Sequence, residues 1–302
     1  MPATTAAFSS LLAPGLRKVY FEWLKKWPQE YSQIANTLSS TRAYEEDLVL
    51  AGLGAFLRKP EGETIHYDTG QQGNKKRYTH LTFALGFRVT REAYDDDQYK
   101  ILGTRMSKDL AQSAEDSVEL QFGAMIDDAY AGSIYTGFDT KSLINTAHTT
   151  VFGASQSNRP AAEVDLGVSS LRKAMENLEL TQDERGFPRM KKGSLLIVDP
   201  SFQWIAKELT QSQGKPYTAD NELNAFRDLN LSFFVYHYQS DANAWLLRAG
   251  MDEQDLKYFW RIRPIFDNSD DFDTKDAKFT GYYRNSMGFG DWRGWYGSSG
   301  ST

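Results

Sequence analysis

Between residues 99 and 129 apolar side chains return every three or four positions, through Tyr99, Leu102, Met106, Leu110, Ala114, Val118, Phe122, Met125, Ile126 and Ala129. That spacing lays one stripe along an α-helix. The pattern predicts a helix over 95–131, opened by Asp95, Asp96 and Asp97, whose carboxylates suit the unpaired amides and positive dipole end of a helix N-terminus. At about 1.5 Å per residue it would extend about 50 Å, well above the usual length in globular domains. The stripe is single and narrow, and flanking charges do not repeat as a coiled-coil partner code would require. The helix therefore reads as a spine lying across a sheet.

A strict alternation precedes it. Leu81, Phe83, Leu85, Phe87 and Val89 face one way, and Thr82, Ala84, Gly86, Arg88 and Thr90 the other. With the polar stretch before it, punctuated by Pro60, Gly62, Gly70 and Gly73, this strand predicts a long protruding hairpin of which it is the return strand. Further upstream, Leu16, Val19, Tyr20, Trp23, Leu24 and Trp27 predict an amphipathic helix over 16–27, ended by Pro28. Its wide aromatic face suits either the chain's own core or a neighbouring subunit.

From residue 141 the units shorten. Helices are expected over 166–180 and 202–209, strands over 194–198, 231–238, 244–248 and 256–263, then an acidic loop over 267–276 and a last strand over 279–287 before a Trp/Gly-rich tail. Helices and strands mixed in this way place the chain in the α+β class.

Composition sharpens the picture. The 302 residues include 18 Phe, 16 Tyr and 7 Trp, and aromatics bury the most area per residue in cores and interfaces. The net charge is −6, and the longest cationic run is Lys75-Lys76-Arg77, which disfavours direct gripping of nucleic-acid phosphates. Such a chain could still enclose nucleic acid without holding it. The absence of cysteine removes disulfides, thiolate metal sites and cysteine nucleophiles. No stretch of about 18 apolar residues suggests a membrane span, and the polar first ten residues lack the order of a secretory signal.

Candidate chemistry is sparse. His66, His80, His148 and His237 stand on separate elements, never at the i, i+4 spacing of a zinc helix, so no metal site is expected, and His80 and His148 read as surface or loop residues. There is no Gly-x-Ser-x-Gly elbow to present a serine. Gly52-Leu53-Gly54 lacks the third glycine of a nucleotide fingerprint, and Gly214-Lys215-Pro216 has proline where a phosphate loop needs Ser or Thr. No catalytic and no cofactor-binding residues are therefore expected. The acidic run over 267–273 lacks the central glycine and distal glutamate of a calcium loop and reads as a solvated turn; a weak cation between subunits is the alternative. Trp292, Trp295 and Tyr296 read as buried packing rather than a platform for sugars.

Several segments, in order along nearly the whole chain, carry a resemblance. They are Lys59-Pro60-Glu61-Gly62-Glu63, Lys76-Arg77-Tyr78-Thr79-His80, Leu85-Gly86-Phe87-Arg88-Val89-Thr90-Arg91-Glu92, Asn145-Thr146-Ala147-His148, Leu195-Leu196-Ile197-Val198-Asp199-Pro200 and Asp291-Trp292-Arg293-Gly294. In them the chain resembles the major capsid proteins of tailed bacteriophages, and more closely the Mu-like major head subunit family. The resemblance implies the Hong Kong 97-type fold: an N-terminal arm over 1–55, an extended loop over 56–90, a peripheral domain from 91–140 and 256–296, an axial domain over 141–255 and a flexible tail over 297–302. It implies hexamers and pentamers closing into an icosahedral shell around double-stranded DNA, bound without sequence specificity and without a membrane. Separate scaffolding and portal proteins, with or without a decoration protein, would be partners, and the virion capsid, assembled in the host cytoplasm, would be the location. No obvious N-terminal scaffolding segment is present, so the chain is expected to be processed or served by a separate scaffold. On this reading the subunit-interface residues are Trp23, Trp27, Glu61, Glu63, Lys75, Lys76, Arg77, Tyr78, Asp270, Asp271 and Asp273. An encapsulin-like compartment shell would share the fold and differ in cargo; a secreted carbohydrate-binding or hydrolytic enzyme is the reading from another class.

Overall fold

The computed structural model describes residues 8–95, 99–214, 223–271, 274 and 276–300. Asp96, Asp97, Lys215, Pro216 and Asp273, singled out above, lie outside the described residues. Along the chain run α1 (Phe8–Leu24), α2 (Tyr31–Ile34), β1 (Asn36–Ser39), β2 (Tyr44–Ala51), β3 (Gln71–Thr79), β4 (Leu81–Val89), α3 (Arg91–Asp95), α4 (Tyr99–Asp127), β5 (His148–Thr149), β6 (Ser155–Gln156), α5 (Val168–Leu180), β7 (Gly193–Val198), α6 (Gln203–Gln211), β8 (Ser232–Val235), β9 (Trp245–Ala249), β10 (Leu256–Asp270), β11 (Ala277–Phe289) and β12 (Trp295–Ser298). The class is α+β. Two compact units form, one from Met1–Glu45, Tyr78–Phe122 and Tyr258–Met287, the other from Glu46–Arg77, Gly123–Lys257 and Gly288–Thr302.

In the first unit a four-stranded sheet runs in the order β1-β10-β11-β4. β4 pairs antiparallel with β11, from Ala277 opposite Val89 to Asn285 opposite Leu81, and the aromatic pairs Phe83–Tyr283 and Phe87–Phe279 stack across that ladder. The alternating strand is therefore not the return strand of the hairpin. β3 pairs with β2 instead, and their contacts (Arg77 with Glu46, Gly73 against Val49, Gly70 against Ala51) descend on one strand as they ascend on the other, which is an antiparallel hairpin. Its connecting loop is 52–70. β4 is an edge strand, and on the expected apolar face Phe83 and Phe87 are partly covered while Leu81 and Leu85 stay exposed.

The spine is present but shorter than expected. α4 ends at Asp127 because the Asp128 carboxylate gathers the next turn: Oδ1 accepts from Ser133 N and Oγ, and Oδ2 from Ile134 N and Tyr135 N. Its buried stripe follows the periodic positions from Leu110 through Val118 to Phe122. Toward the N-terminus it shifts by one residue, so that Leu102 and Met106 are exposed while Gly103 and Ser107 are buried. The cause is α1, since a Cβ on Gly103 would stand 3.3 Å from Leu16 Cδ2. Glycine there lets two helices approach closely. Leu16 and Tyr20 of α1 join Leu110, Ala111, Val89, Phe266, Ala277 and Phe279 in one core, and Tyr31, Phe122, Tyr258 and Trp260 form an aromatic nest beside it. α1 stops at Leu24, short of the expected Trp27. Pro28 disfavours the helical region for the residue before it, and Lys26 N closes a tight turn on Trp23 O.

The second unit is built on the sheet β12-β9-β7-β8. β7 and β8 are parallel, joined through α6, and β9 and β12 add antiparallel. Every residue of β9 is buried. Leu171, Ala174 and Leu178 of α5 and Ala206 and Leu209 of α6 cover the sheet over Leu196, Val198, Trp245, Leu247 and Tyr296. The end of the chain is not a frayed tail as far as residue 300. Ser298 Oγ accepts from Val164 N and donates to Glu163 Oε2, which also accepts from Ser299 N.

Candidate subunit interface

The loop 52–70 leaves several large apolar side chains open to solvent. Phe56 is fully exposed, and Leu53, Leu57, Ile65 and Tyr67 are each more than 60% exposed. Fully burying one such side chain is worth about 1.5–3 kcal/mol, and several of them exposed on one loop mark a contact surface. Sequence explains its conformation: Pro60 O accepts from Glu63 N across a turn whose Gly62 sits at φ +84°, a region that L side chains rarely enter. Glu61 and Glu63 at this turn are exposed.

β3 carries the cationic run outward along the stem. Lys75 is exposed, Arg77 pairs with Glu46 at 2.7 Å, and the half-buried Lys76 ammonium reaches Thr136 Oγ1 at 3.3 Å, with burial lowering its pKa. Tyr78 differs from the interface expectation: it is 2% exposed and packs on Phe259 within its own chain. Trp23 is also half-buried on the first unit's core, with the Lys26 and Lys108 ammonium groups over its ring at 4.4 and 5.0 Å. Trp27, beyond the helix, stays open. Asp270 is exposed, now inside the lengthened β10 rather than in a loop, and Asp271 pairs with Lys278. Of the predicted residues that the structure describes, Trp23, Trp27, Tyr78, Asp270 and Asp271 belong to the first unit and Glu61, Glu63, Lys75, Lys76 and Arg77 to the second.

Groups that look chemically active are committed internally. His80 and His148 are buried, not on the surface. Ser40 Oγ donates to Glu45 Oε1 and so accepts from His80 Nε2, which leaves His80 Nδ1 to accept from Ser286 Oγ. Burial lowers the His80 pKa. This Ser–His pair has the reach of a nucleophile and its base, but both residues are at most 7% exposed, so Ser286 presents no hydroxyl to a substrate. His148 stacks flat on Trp292 at 4.2 Å between Asp139 Oδ2 (2.6 Å) and Asn158 Oδ1 (3.1 Å). Trp292, Trp295 and Tyr296 are buried, which removes the sugar platform of the enzyme reading. On α4, Glu115 and Glu119 are buried one turn apart, accepting from Gln29 Nε2 and Tyr31 N, and burial pushes both up to about 7. Among the described residues no cluster of three or more His, Asp or Glu could hold a metal ion, and no helix is long and apolar enough to cross a membrane.

Sequence reading missed one further group. Arg185 and Asp68, 117 residues apart, meet at the foot of the loop. Nothing local marks either residue, because a contact of that separation leaves no periodic trace.

A spine helix, an edge strand with bare leucines and a loop that exposes apolar side chains suit a subunit completed by others. Comparison with known proteins identifies which kind. The profile of the phage capsid protein family matches residues 73–298, and the chain belongs to that family. No curated protein matches the sequence. Among solved structures the fold is similar to the procapsid of bacteriophage JBD30 (18% identity, TM-score 0.53, covering 99% of this chain and 77% of that one). It is also similar to the capsid of a native GTA particle (11%, 0.56, 89% and 88%) and to a virus-like particle from Pyrococcus furiosus (10%, 0.53, 94% and 97%). The chain therefore has the Hong Kong 97-type capsid fold and is a structural protein of the phage capsid, located in the virion capsid.

Proposed function

We propose that copies of this chain, a Mu-like major head subunit, form hexamers and pentamers that close into an icosahedral shell around double-stranded DNA in the host cytoplasm. The unit built on β12-β9-β7-β8 would be the axial domain and the unit carrying α4 the peripheral one, with 8–24 and 52–70 reaching over neighbours. The observation that carries this is the concentration of exposed apolar residues in one loop, Leu53, Phe56, Leu57, Ile65 and Tyr67. A net charge of −6, with no cationic run longer than Lys75-Lys76-Arg77, suits a wall that encloses DNA and does not grip it. A separate scaffold, a portal and, on the outer face, a decoration protein complete the assembly in this reading.

Negative-stain microscopy of the purified chain tests it. The wild type should give closed particles or capsomers, and replacing residues 55–66 by a Gly-Ser linker should leave a folded subunit that forms neither. Normal particles from that variant would refute the role of the loop. The particle contents separate a genome shell from a compartment: packaged nucleic acid supports the first, and an enclosed enzyme would replace it with the second.

A further inference from the structure

The hydrogen-bond ladder of the β2–β3 hairpin stops at Ala51 and Gln71, yet the two limbs of the loop do not separate freely beyond it. Arg185 Nε donates to Gly52 O at 2.8 Å on the outgoing limb, and Nη2 donates to Thr69 O at 3.1 Å on the returning limb. Nη1 meets Asp68 Oδ2 at 3.0 Å. The Asp68 carboxylate in turn accepts from Gly54 N at 2.7 Å and from its neighbour Thr69 N at 2.8 Å. Those backbone donors, Gly54 first, and Arg185 hold its pKa below the ordinary value. One guanidinium therefore ties both limbs together, and its face lies over Phe152 at 4.9 Å. Behind it the 183–187 turn is rigid: Asp183 Oδ1 accepts from the backbone N of Arg185 and of Phe187, and Asp183 N donates to Phe187 O. A planar fork with several fixed donors suits such a junction, and a lysine ammonium on a flexible stem does not.

We propose that Arg185 is the positioning residue of the assembly loop: by stapling both limbs of its stem to the 183–187 turn, it sets the direction in which residues 52–70 leave the subunit. This rests on the reading of that loop as the element that engages neighbours. The loop's apolar residues then meet their partner without first having to order the stem, which lowers the entropic cost of each contact.

The test uses the full chain, as unassembled subunit and after assembly. Arg185→Ala and Asp68→Asn break the staple by two routes, and only the first removes the guanidinium from Phe152, so that packing on the ring cannot be the cause of both effects. Arg189→Ala, which removes the salt bridge to Asp183 at the same turn and leaves Arg185 in place, is the control. Hydrogen exchange read by mass spectrometry should show the Gly54 and Thr69 amides exchanging roughly tenfold faster or more in both variants. The melting temperature should stay unchanged, and closed particles should fall to a minor fraction. Arg185→Lys, which keeps the charge and loses the fork, should behave like Arg185→Ala. Unchanged exchange in Arg185→Ala, the same exchange gain in Arg189→Ala, full rescue by lysine, or particles at wild-type yield despite faster exchange would each overturn the proposal. A wild type that forms no particles would instead overturn the shell reading, while the exchange comparison still decides whether the staple exists.

Discussion

Replacing Glu115 and Glu119 together by glutamine should make the unassembled subunit more stable at pH 8 and leave it little changed at pH 5. Both carboxyls lie in the first unit at 6% and 2% exposure. Glu115 Oε1 accepts from Gln29 Nε2 at 3.5 Å, and Glu119 Oε1 accepts from Tyr31 N at 3.2 Å. The groups packed around them are mostly neutral or acidic: Tyr20, Glu30, Tyr31, Asp116, Tyr258 and Tyr283. Arg263 is the cation whose field reaches the Tyr31 side. Burial is the largest influence on each glutamate and raises it from 4.5 to about 7. At about 1.4 kcal/mol per tenfold, holding each in its charged form above that range costs roughly 3 kcal/mol. The folded state binds protons that the unfolded chain has released above about 4.5, so stability is fully present below that pH and declines as pH rises to about 7. Glutamine keeps an oxygen to accept from Tyr31 N and carries no charge. Urea unfolding of wild type and double variant across pH 5 to 8 should therefore give curves that meet at the acid end and part by several kcal/mol at the alkaline end. The lowered pKa of His80 works in the opposite direction in an overlapping range, but it is common to both proteins and cancels in the difference. A double variant no more stable than wild type at pH 8, or a gap that stays constant with pH, would refute the reasoning.

Changing Phe56 and Leu57 to serine should leave the melting temperature of the unassembled subunit within about 1 °C, since both are exposed, yet lower particle yield sharply. Burying each of these side chains against a neighbour is worth about 1.5–3 kcal/mol, and the deficit recurs at every subunit; gel filtration with light scattering reads the outcome. Asn158→Ala should destabilise the second unit by about 3 kcal/mol or more. It strands Asn145 N and His148 Nε2, which face its Oδ1, and the Leu143 and Trp295 carbonyls, which accept from its Nδ2, all in the interior. A shift in the urea midpoint equivalent to less than about 1 kcal/mol would count against that network.

Element types were legible in the residues wherever one face of an element meets one core. The 3.6-residue stripe of α4, the alternation of β4 and the apolar run of β7 each report a local period, and a local period needs no knowledge of the partner. The same property limits what such patterns say. Alternation shows that β4 has an apolar face, but its partner is β11, nearly two hundred residues later, and nothing in the period of two specifies which strand that will be. Along α4 the periodic Leu102 and Met106 stand exposed while Gly103 and Ser107 are covered, because the close approach of α1 rather than hydrophobicity chose the buried face. His80 and His148 read as surface groups because a polar side chain in isolation does; each is buried only because hydroxyl, carboxyl and amide partners come from distant segments.

For function the division is the same. Ordered segments from Lys59 to Gly294 were enough to indicate a capsid subunit from the residues alone, since a chain that builds shells keeps its turn chemistry and strand patterns in a recognisable order. Which of those residues are available to neighbours was decided in three dimensions. Tyr78 was turned inward onto Phe259, while Phe56 and Leu57 were left bare. Arg185 and Asp68 were brought together across 117 residues of chain. Local periodicity is a property of a few neighbouring bonds, whereas exposure and long-range pairing belong to the packed whole.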